Sequence, residues 1–360
     1  MTDFSFPEKP NYNFTKGQTL ERKKLLKNKV EHIKFKDLKN TNELIEAYSK
    51  SSFQARKIGE GAKLYKKELN RGTTIIWSLA GSIFSAGLRE LVIDSVRKNL
   101  VDCLVCTGAL FEQDMLEALG YNHYVQTEEI EDKTLQNLLI DRIYDHLLDE
   151  IELQHVDETY KKIAKQMDSG NYSSREFMEY CGKWLSNVKD ANDSVILAAY
   201  EMNVPIFIPA INDCSIGIGL AMNQSEVKNG ISIDSIKDLR EIAKMKDLCG
   251  DSGIVIVGGG VPKNYSQDSV VMAEMLGYKV KKHRFGIQIS TADSRDGGLS
   301  GSTLKEAISW GKNDEDMDEV MIWGEASVYF PLLISYVSNL KRNNKKELNK
   351  HINASLPEEN

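Results

Sequence analysis

Cysteine is scarce and odd in number, five in 360 residues. That is no basis for a disulfide framework, so reduced thiols in a cytoplasmic protein are expected. Positive charge is also short: 46 Lys and Arg against 53 Asp and Glu leave a net charge of −7. Nucleic acid is therefore not an expected partner, because its phosphates call for a basic face. Long apolar runs are missing too. The first thirty residues carry Asp3, Glu8 and Glu21 and no apolar stretch, so no secretory leader is expected. The most apolar segment, 320–340, is interrupted by Gly324, Glu325 and Pro331. One acid at mid-span costs roughly 2.5–3.5 kcal/mol, so a buried strand and helix are expected there and no membrane span. Metal chemistry lacks its ligands. Cys103-Leu-Val-Cys106 has the spacing of a pair, but a strand turns positions three apart to opposite faces, and zinc needs four converging ligands. No metal site is expected.

What is present is a pattern. Hydrophobic residues make up 41% of the chain, enough for a sizeable core, and at ~100–200 residues per domain the length allows two domains or one large one. Apolar runs of strand length occur at 74–79, 103–107, 205–208, 253–257, 286–289 and 320–323. Stretches of helical period occupy 85–99, 112–119, 174–187, 193–201, 236–247 and 327–340. Continuously apolar strands separated by helices specify a mostly parallel sheet with helices on both faces, a doubly wound α/β fold. Its ligand site lies beyond the carboxyl ends of the strands. Residues 69–340 are expected to form this single large domain. Residues 1–68 read as an N-terminal arm with Pro7, Pro10 and Gly17, then helices that pack on the main body. Residues 341–360, charged and Asn-rich, are expected to be a flexible tail.

Three clusters of small residues fall where strands are expected to end: Ala80-Gly-Ser-Ile-Phe-Ser-Ala-Gly87, Thr107-Gly-Ala109 and Gly258-Gly-Gly260. Glycine permits close backbone approach to a phosphate, and a helix N-terminus offers free N–H groups. None spells G-x-G-x-x-G or a Walker loop. Singly each is an ordinary turn; three along one sheet edge favour a nucleotide cofactor. The richest stretch runs from Ser290 to Lys312. A Gly/Ser/Asp loop leads into Glu306-Ala-Ile-Ser-Trp310-Gly-Lys312, where Glu306 and Trp310 share a helical face. An acid, an indole and a lysine that converge can hold an organic cation beside a nucleophilic amine. They can equally be a solvated acid, a core indole and a capping lysine. The residues alone leave both readings open.

From about Ile58 to Ser338 the chain resembles the deoxyhypusine synthase family. The most specific element is Glu306-Ala-Ile-Ser-Trp310-Gly-Lys312, which looks like the family's active-site segment. Ser85-Ala-Gly-Leu-Arg-Glu90, Ser174-Arg-Glu-Phe177 with Gly182-Lys183, and Pro209-Ala-Ile-Asn-Asp213-Cys-Ser-Ile-Gly217 are similar too. So are Gly258-Gly-Gly-Val-Pro-Lys263 and Glu325-Ala-Ser-Val-Tyr-Phe-Pro331. The resemblance implies a Rossmann-like NAD-binding fold in a homotetramer with active sites between paired subunits. It implies transfer of the aminobutyl group of spermidine, a polyamine, to a lysine of the hypusine-bearing initiation factor. Carried over by position, NAD would contact Gly81, Ser82, Ser85, Thr107, Gly108, Ala109, Gln113 and Asp213. Further contacts would be Gly259, Thr291, Ala292, Glu325 and Ala326. Glu112, Glu306 and Trp310 would hold the amine, with Asn264 at a further anchor position, and Lys312 would carry the fragment as an imine. Attack by Lys312 needs a neutral amine and hence a dry site.

The chain departs from the family where amine anchors are usual. Asn264 stands in place of a histidine, Ile218 and Leu299 in place of aspartates, and Gln113 in place of a glutamate. Apolar replacements weaken binding of a charged amine. Two alternatives follow: a homospermidine-type synthase with a free amine acceptor, and a non-catalytic NAD-binding paralogue that partners an active subunit. A sirtuin-like deacylase is set aside, because the paired CxxC zinc site is missing. The six histidines are expected to lie outside these clusters.

Overall fold

Six short apolar runs pair into one sheet in the computed structural model, which describes residues 6–340, 342 and 345–355. The strands are β1 (Thr74–Leu79), β2 (Cys103–Cys106), β3 (Ile206–Phe207), β4 (Ser252–Val257), β5 (His283–Ser290) and β6 (Asn313–Trp323). Every neighbouring pair is parallel, in the spatial order β3-β2-β1-β4-β5-β6. This is the order of a doubly wound dinucleotide-binding sheet, and its direction reverses between β1 and β4.

Helices α1 (Lys16–Leu25), α2 (Thr41–Ser49) and α3 (Phe53–Arg71) precede the sheet. A tight turn at Phe84–Leu88 and α4 (Arg89–Arg97) link β1 to β2, and α5 (Gly108–Ala118) follows β2. Between α5 and β3 come α6 (Asp132–Asn137), α7 (Glu150–Lys165), α8 (Ser174–Leu185) and α9 (Val195–Met202). Next are α10 (Ser215–Glu226) and α11 (Ser235–Cys249) before β4, α12 (Gly260–Met275) before β5, and the one-turn α13 (Glu306–Ser309) before β6. The last are α14 (Ala326–Ser335) and α15 (Leu348–Ser355).

Alternation within fully buried strands explains the two covered faces. Ile75, Trp77 and Leu79 join one core with residues of α3, α4, α5 and α14, whereas Ile76 joins a second with α11 and α15. The same alternation sends Cys106 to the first core and Cys103 to the second, so this pair diverges as strand geometry requires. Burial pushes both thiols up. Among the described residues no helix is long and apolar enough to cross a membrane, and no His/Cys/Asp/Glu group could hold a metal ion.

Three features depart from the pattern expected of the sequence. After α5 the chain makes an excursion in which Tyr124–Val125, Ile140–Ile143 and His146–Asp149 form an antiparallel three-stranded sheet. Its segment is polar and lacks apolar alternation, so nothing in it signals strands. The tail expected from 341 onward is corrected for its described part. Leu348 and Ile352 of α15 are buried against α11, Asn349 Oδ1 accepts from Arg175 Nη1 at 2.6 Å, and Arg342 pairs with Asp102 at 2.8 Å. At the opposite end, α1 buries no residue, although a capping box at Thr15 and Gln18 closes its first turn. Strand β6 is outermost and its first half is acidic, with Asp314, Glu315, Asp316, Asp318 and Glu319 in sequence.

Candidate active site

At the carboxyl edge, where strand order reverses, lies a cavity of about 350 Å³. Gly81 after β1, Thr107 and Gly108 after β2, and Gly258, Gly259 and Gly260 after β4 line it, with Asp213 and Ser300. Two of these glycines are there for space. A Cβ at Gly108 would lie 2.2 Å from Cys214 Sγ, and one at Gly259 would lie 2.4 Å from Ser300 Cα. Both α5 and α12 start here, so two helix N-termini face the opening. The Thr107 hydroxyl and Gln113 Nε2 are buried without partners. Close backbone, free N–H groups and unpaired polar atoms fit the phosphates and riboses of a dinucleotide.

The remaining cofactor candidates sit around this edge. Ser85 N–H donates to Gln113 Oε1 at 3.1 Å, and Ser85 Oγ–H donates to Ser82 O at 2.9 Å. Ala109 lies in the first turn of α5. Thr291 and Ala292 follow β5, and Ala292 N–H donates to Ser290 Oγ at 3.1 Å. Glu325 caps α14, accepting from Ser327 N–H at 2.9 Å. Burial works against its charge, but the Ser327 hydroxyl and nearby backbone N–H groups outweigh it and hold the carboxyl below its usual range.

A second cavity, of about 800 Å³, shares Asp213 with the first. Glu112, Asp132, Asp141, Glu150 and Asp157 line it, with Ile218 and one cation, Arg142, which is bound to Asp132 at 2.7 Å. Glu112 accepts from Ser215 N–H at 2.9 Å. Burial nevertheless raises its pKa, and Asp157 and Asp213 add to the rise. Burial raises Asp157 and Asp141 as well. Carboxyls crowded and desolvated in this way favour an incoming cation.

Lys312 lies elsewhere. Its carbonyl accepts from His283 N–H at 3.3 Å, beside the first residue of β5 and thus at the amino edge of the sheet. The side chain is only 10% exposed. Nζ donates to Asn264 Oδ1 at 2.8 Å and pairs with Asp268 at 2.9 Å, both on α12. The Trp310 ring centroid is 5.4 Å from Nζ. Trp310 is 67% exposed, so it is not a core indole. Within one chain, Lys312, Trp310 and Asn264 come together, Glu306 is exposed one turn before Trp310, and none of them lines the cavity at the carboxyl edge.

A family model described as deoxyhypusine synthase matches residues 43–337. The chain belongs to the deoxyhypusine synthase family. A deoxyhypusine synthase-like protein from Chlorobaculum parvum is 43% identical over 343 residues, which span 94% of this chain and 97% of that one. Another from Coxiella burnetii is 43% identical over 320 residues, 87% of this chain and 90% of its own. In fold the chain is similar to a crystal structure assigned as a deoxyhypusine synthase from Entamoeba histolytica. The TM-score is 0.59 at 20% identity, covering 88% of this chain and 99% of that one.

Within this deoxyhypusine synthase-family chain, two residues carry weight that sequence reasoning missed. Lys263 is 1% exposed and donates to the Ser302 hydroxyl at 2.9 Å and to the Ser302 carbonyl. Burial lowers its pKa to about 8; Glu306 opposes the shift and Lys312 adds to it. The Gly-Gly-Gly-Val-Pro-Lys block contained it, but nothing local marked its burial. His146 corrects the expectation that every histidine lies apart: its Nε2 is 2.9 Å from Ser85 Oγ.

Proposed function

We propose that this chain is an NAD-dependent transferase that moves an aminobutyl group from spermidine or a related amine through an imine on Lys312. One observation carries the reading. The lysine that the family motif singles out is a shielded amine held by Asn264 and Asp268 and flanked by an indole. NAD bound at the carboxyl edge would supply hydride abstraction from the carbon beside an amine nitrogen. Gly81, Thr107, Gly108, Asp213 and Gly259 are the residues proposed to hold it, with Ser82, Ser85, Gln113, Thr291, Ala292, Glu325 and Ala326 around them.

The chain's own groups divide the remaining work. Carboxylates of the acidic cavity, Glu112 foremost, offer charge complement to a polyamine. Trp310, open to solvent, presents a π face suited to an amine cation. Lys312 must shed a proton before attack, and Asp268 Oδ1, 2.9 Å from Nζ, is the carboxylate in reach. Attack on an iminium carbon then gives the Lys312 imine as the first amine departs, a second amine takes the fragment by the reverse exchange, and return of the abstracted hydride to that new imine would complete the aminobutyl amine. Because Lys312 stands apart from its own chain's carboxyl-edge cavity, we propose that the lysine cluster serves the cavity of a paired subunit in a homotetramer.

A lysine of the hypusine-bearing initiation factor is the proposed acceptor. A free amine, as in homospermidine-type synthesis, is the second reading, favoured by Ile218, which lines the acid-rich cavity where the resemblance implies an aspartate. Incubation with NAD and a panel of di- and polyamines, then borohydride, should leave an aminobutyl mass on the Lys312 peptide. The acceptor that discharges it separates the two readings. Lys312→Ala should lose the adduct and keep NAD binding. NAD-loaded wild type without adduct from any amine would favour the non-catalytic paralogue.

A further inference from the structure

The antiparallel excursion after α5 is outside the parallel sheet, yet one of its side chains reaches the turn that follows β1. His146 Nε2 lies 2.9 Å from Ser85 Oγ. The Ser85 hydroxyl already gives its hydrogen to Ser82 O at 2.9 Å, so its lone pair is free to accept from His146 Nε2–H. Ser85 N–H is in turn taken by Gln113 Oε1 at 3.1 Å. The turn from Gly81 to Leu88 is thus tied to α5 by Gln113 and to the excursion by His146.

What stands behind His146 holds its ring in place. His123 meets it edge-on, with centroids 6.3 Å apart, and His123 Nδ1 lies 2.8 Å from Glu117 Oε1 on α5. Glu117 also lies 3.4 Å from Arg89, the first residue of α4. The nearest acid on its own hairpin is Asp145, 3.8 Å from Nδ1. Only 14% of the His146 side chain is exposed. Burial and then His123 lower its pKa, against the pull of Asp145, a shift that favours the neutral ring. A neutral imidazole with Nε2–H toward Ser85 has one donor to spend and spends it there.

We propose that His146 is a positioning residue for the cofactor: by donating to Ser85 it fixes the turn whose first glycine lines the carboxyl-edge cavity. The inference rests on the reading of that cavity as an NAD site. Unlike the motif residues, His146 acts from a separate small sheet, so movement of that hairpin is coupled to the cofactor wall.

The test is direct NAD binding to the full chain by fluorescence titration, without any turnover. His146→Ala and His146→Phe should weaken NAD roughly five- to tenfold, the worth of one neutral hydrogen bond. His146→Gln, whose amide N–H reaches as far as Nε2–H, should return affinity to within about twofold of wild type. On a Ser85→Ala background, His146→Ala should add nothing. Wild-type affinity in the Phe variant, or no rescue by Gln, overturns the proposal. Wild type that binds no NAD at all overturns the cavity reading and this inference with it, whereas binding that ignores His146 overturns this inference alone.

Discussion

Lys312 and Lys263 show how two lysines with overlapping surroundings differ in what their sequence context reveals. Lys312 closes a motif in which acid, indole and amine are near neighbours in the chain. Its candidacy could be read locally, though its partners Asn264 and Asp268 could not. Lys263 gains its character from Ser302, 39 residues away, and from burial, which no neighbour in the sequence encodes. The same holds for His146, which meets Ser85 across 61 residues. Lys263 also yields a prediction. With its folded pKa lowered to about 8, the unfolded chain holds a proton that the folded chain has shed between that value and the ordinary ~10.4. Stability therefore rises with pH across this window. Lys263→Met should flatten the rise, by up to about 3 kcal/mol between pH 7.5 and 10.5. Urea midpoints of both chains across that range check it, and parallel curves would refute it.

Elements were legible where one kind of signal sufficed. The apolar runs at 74–79 and 253–257 became β1 and β4 because a strand buried on both faces needs nothing but continuous apolarity. Helix α15 gave no such signal: two apolar residues, Leu348 and Ile352, stand four apart in a charged stretch, and only the groove beside α11 makes them core. What fastens this segment is Arg342. Its guanidinium reaches Asp102 Oδ2 at 2.8 Å and Thr73 O at 2.8 Å, while Asp102 Oδ2 also accepts from Ile75 N–H at the head of β1. Burial raises the pKa of Asp102, and Arg342 is the chief opposing influence. Arg342→Ala leaves that carboxylate buried without its counter-charge, a loss of about 3–5 kcal/mol. Urea unfolding at pH 7.5 should show it, and the deficit should shrink in acid, where Asp102 can take up a proton. A deficit under about 1 kcal/mol at pH 7.5 would mean that solvent already screens the pair.

For the molecule as a whole, sheet order decides where ligands bind, and the placement of Lys312 decides how many chains a complete site needs. The doubly wound order could be foreseen from alternating strands and helices, but the separation of the lysine from its chain's cavity could not, because periodicity carries no information on which edge a loop occupies. Complementation tests the proposed sharing. Lys312→Ala chains and Asp213→Ala chains are each expected to be inactive, and co-refolded mixtures should recover about a quarter of wild-type sites, as random pairing restores one of two sites in half of the dimers. Mixtures as inactive as their parents would place the whole reaction within one subunit. The acidic half of β6 has a consequence of a different kind. An outermost strand presents unpaired peptide groups on which a stranger's strand could lengthen the sheet, and along that stretch stand the like charges of Asp314, Glu315 and Asp316, followed by Asp318, which Lys67 pairs at 2.6 Å, and Glu319. With Asp314, Glu315 and Asp316 all replaced by their amides this fence comes down, and light scattering should climb while circular dichroism still reports intact helices; a solution that stays clear would overturn the reading.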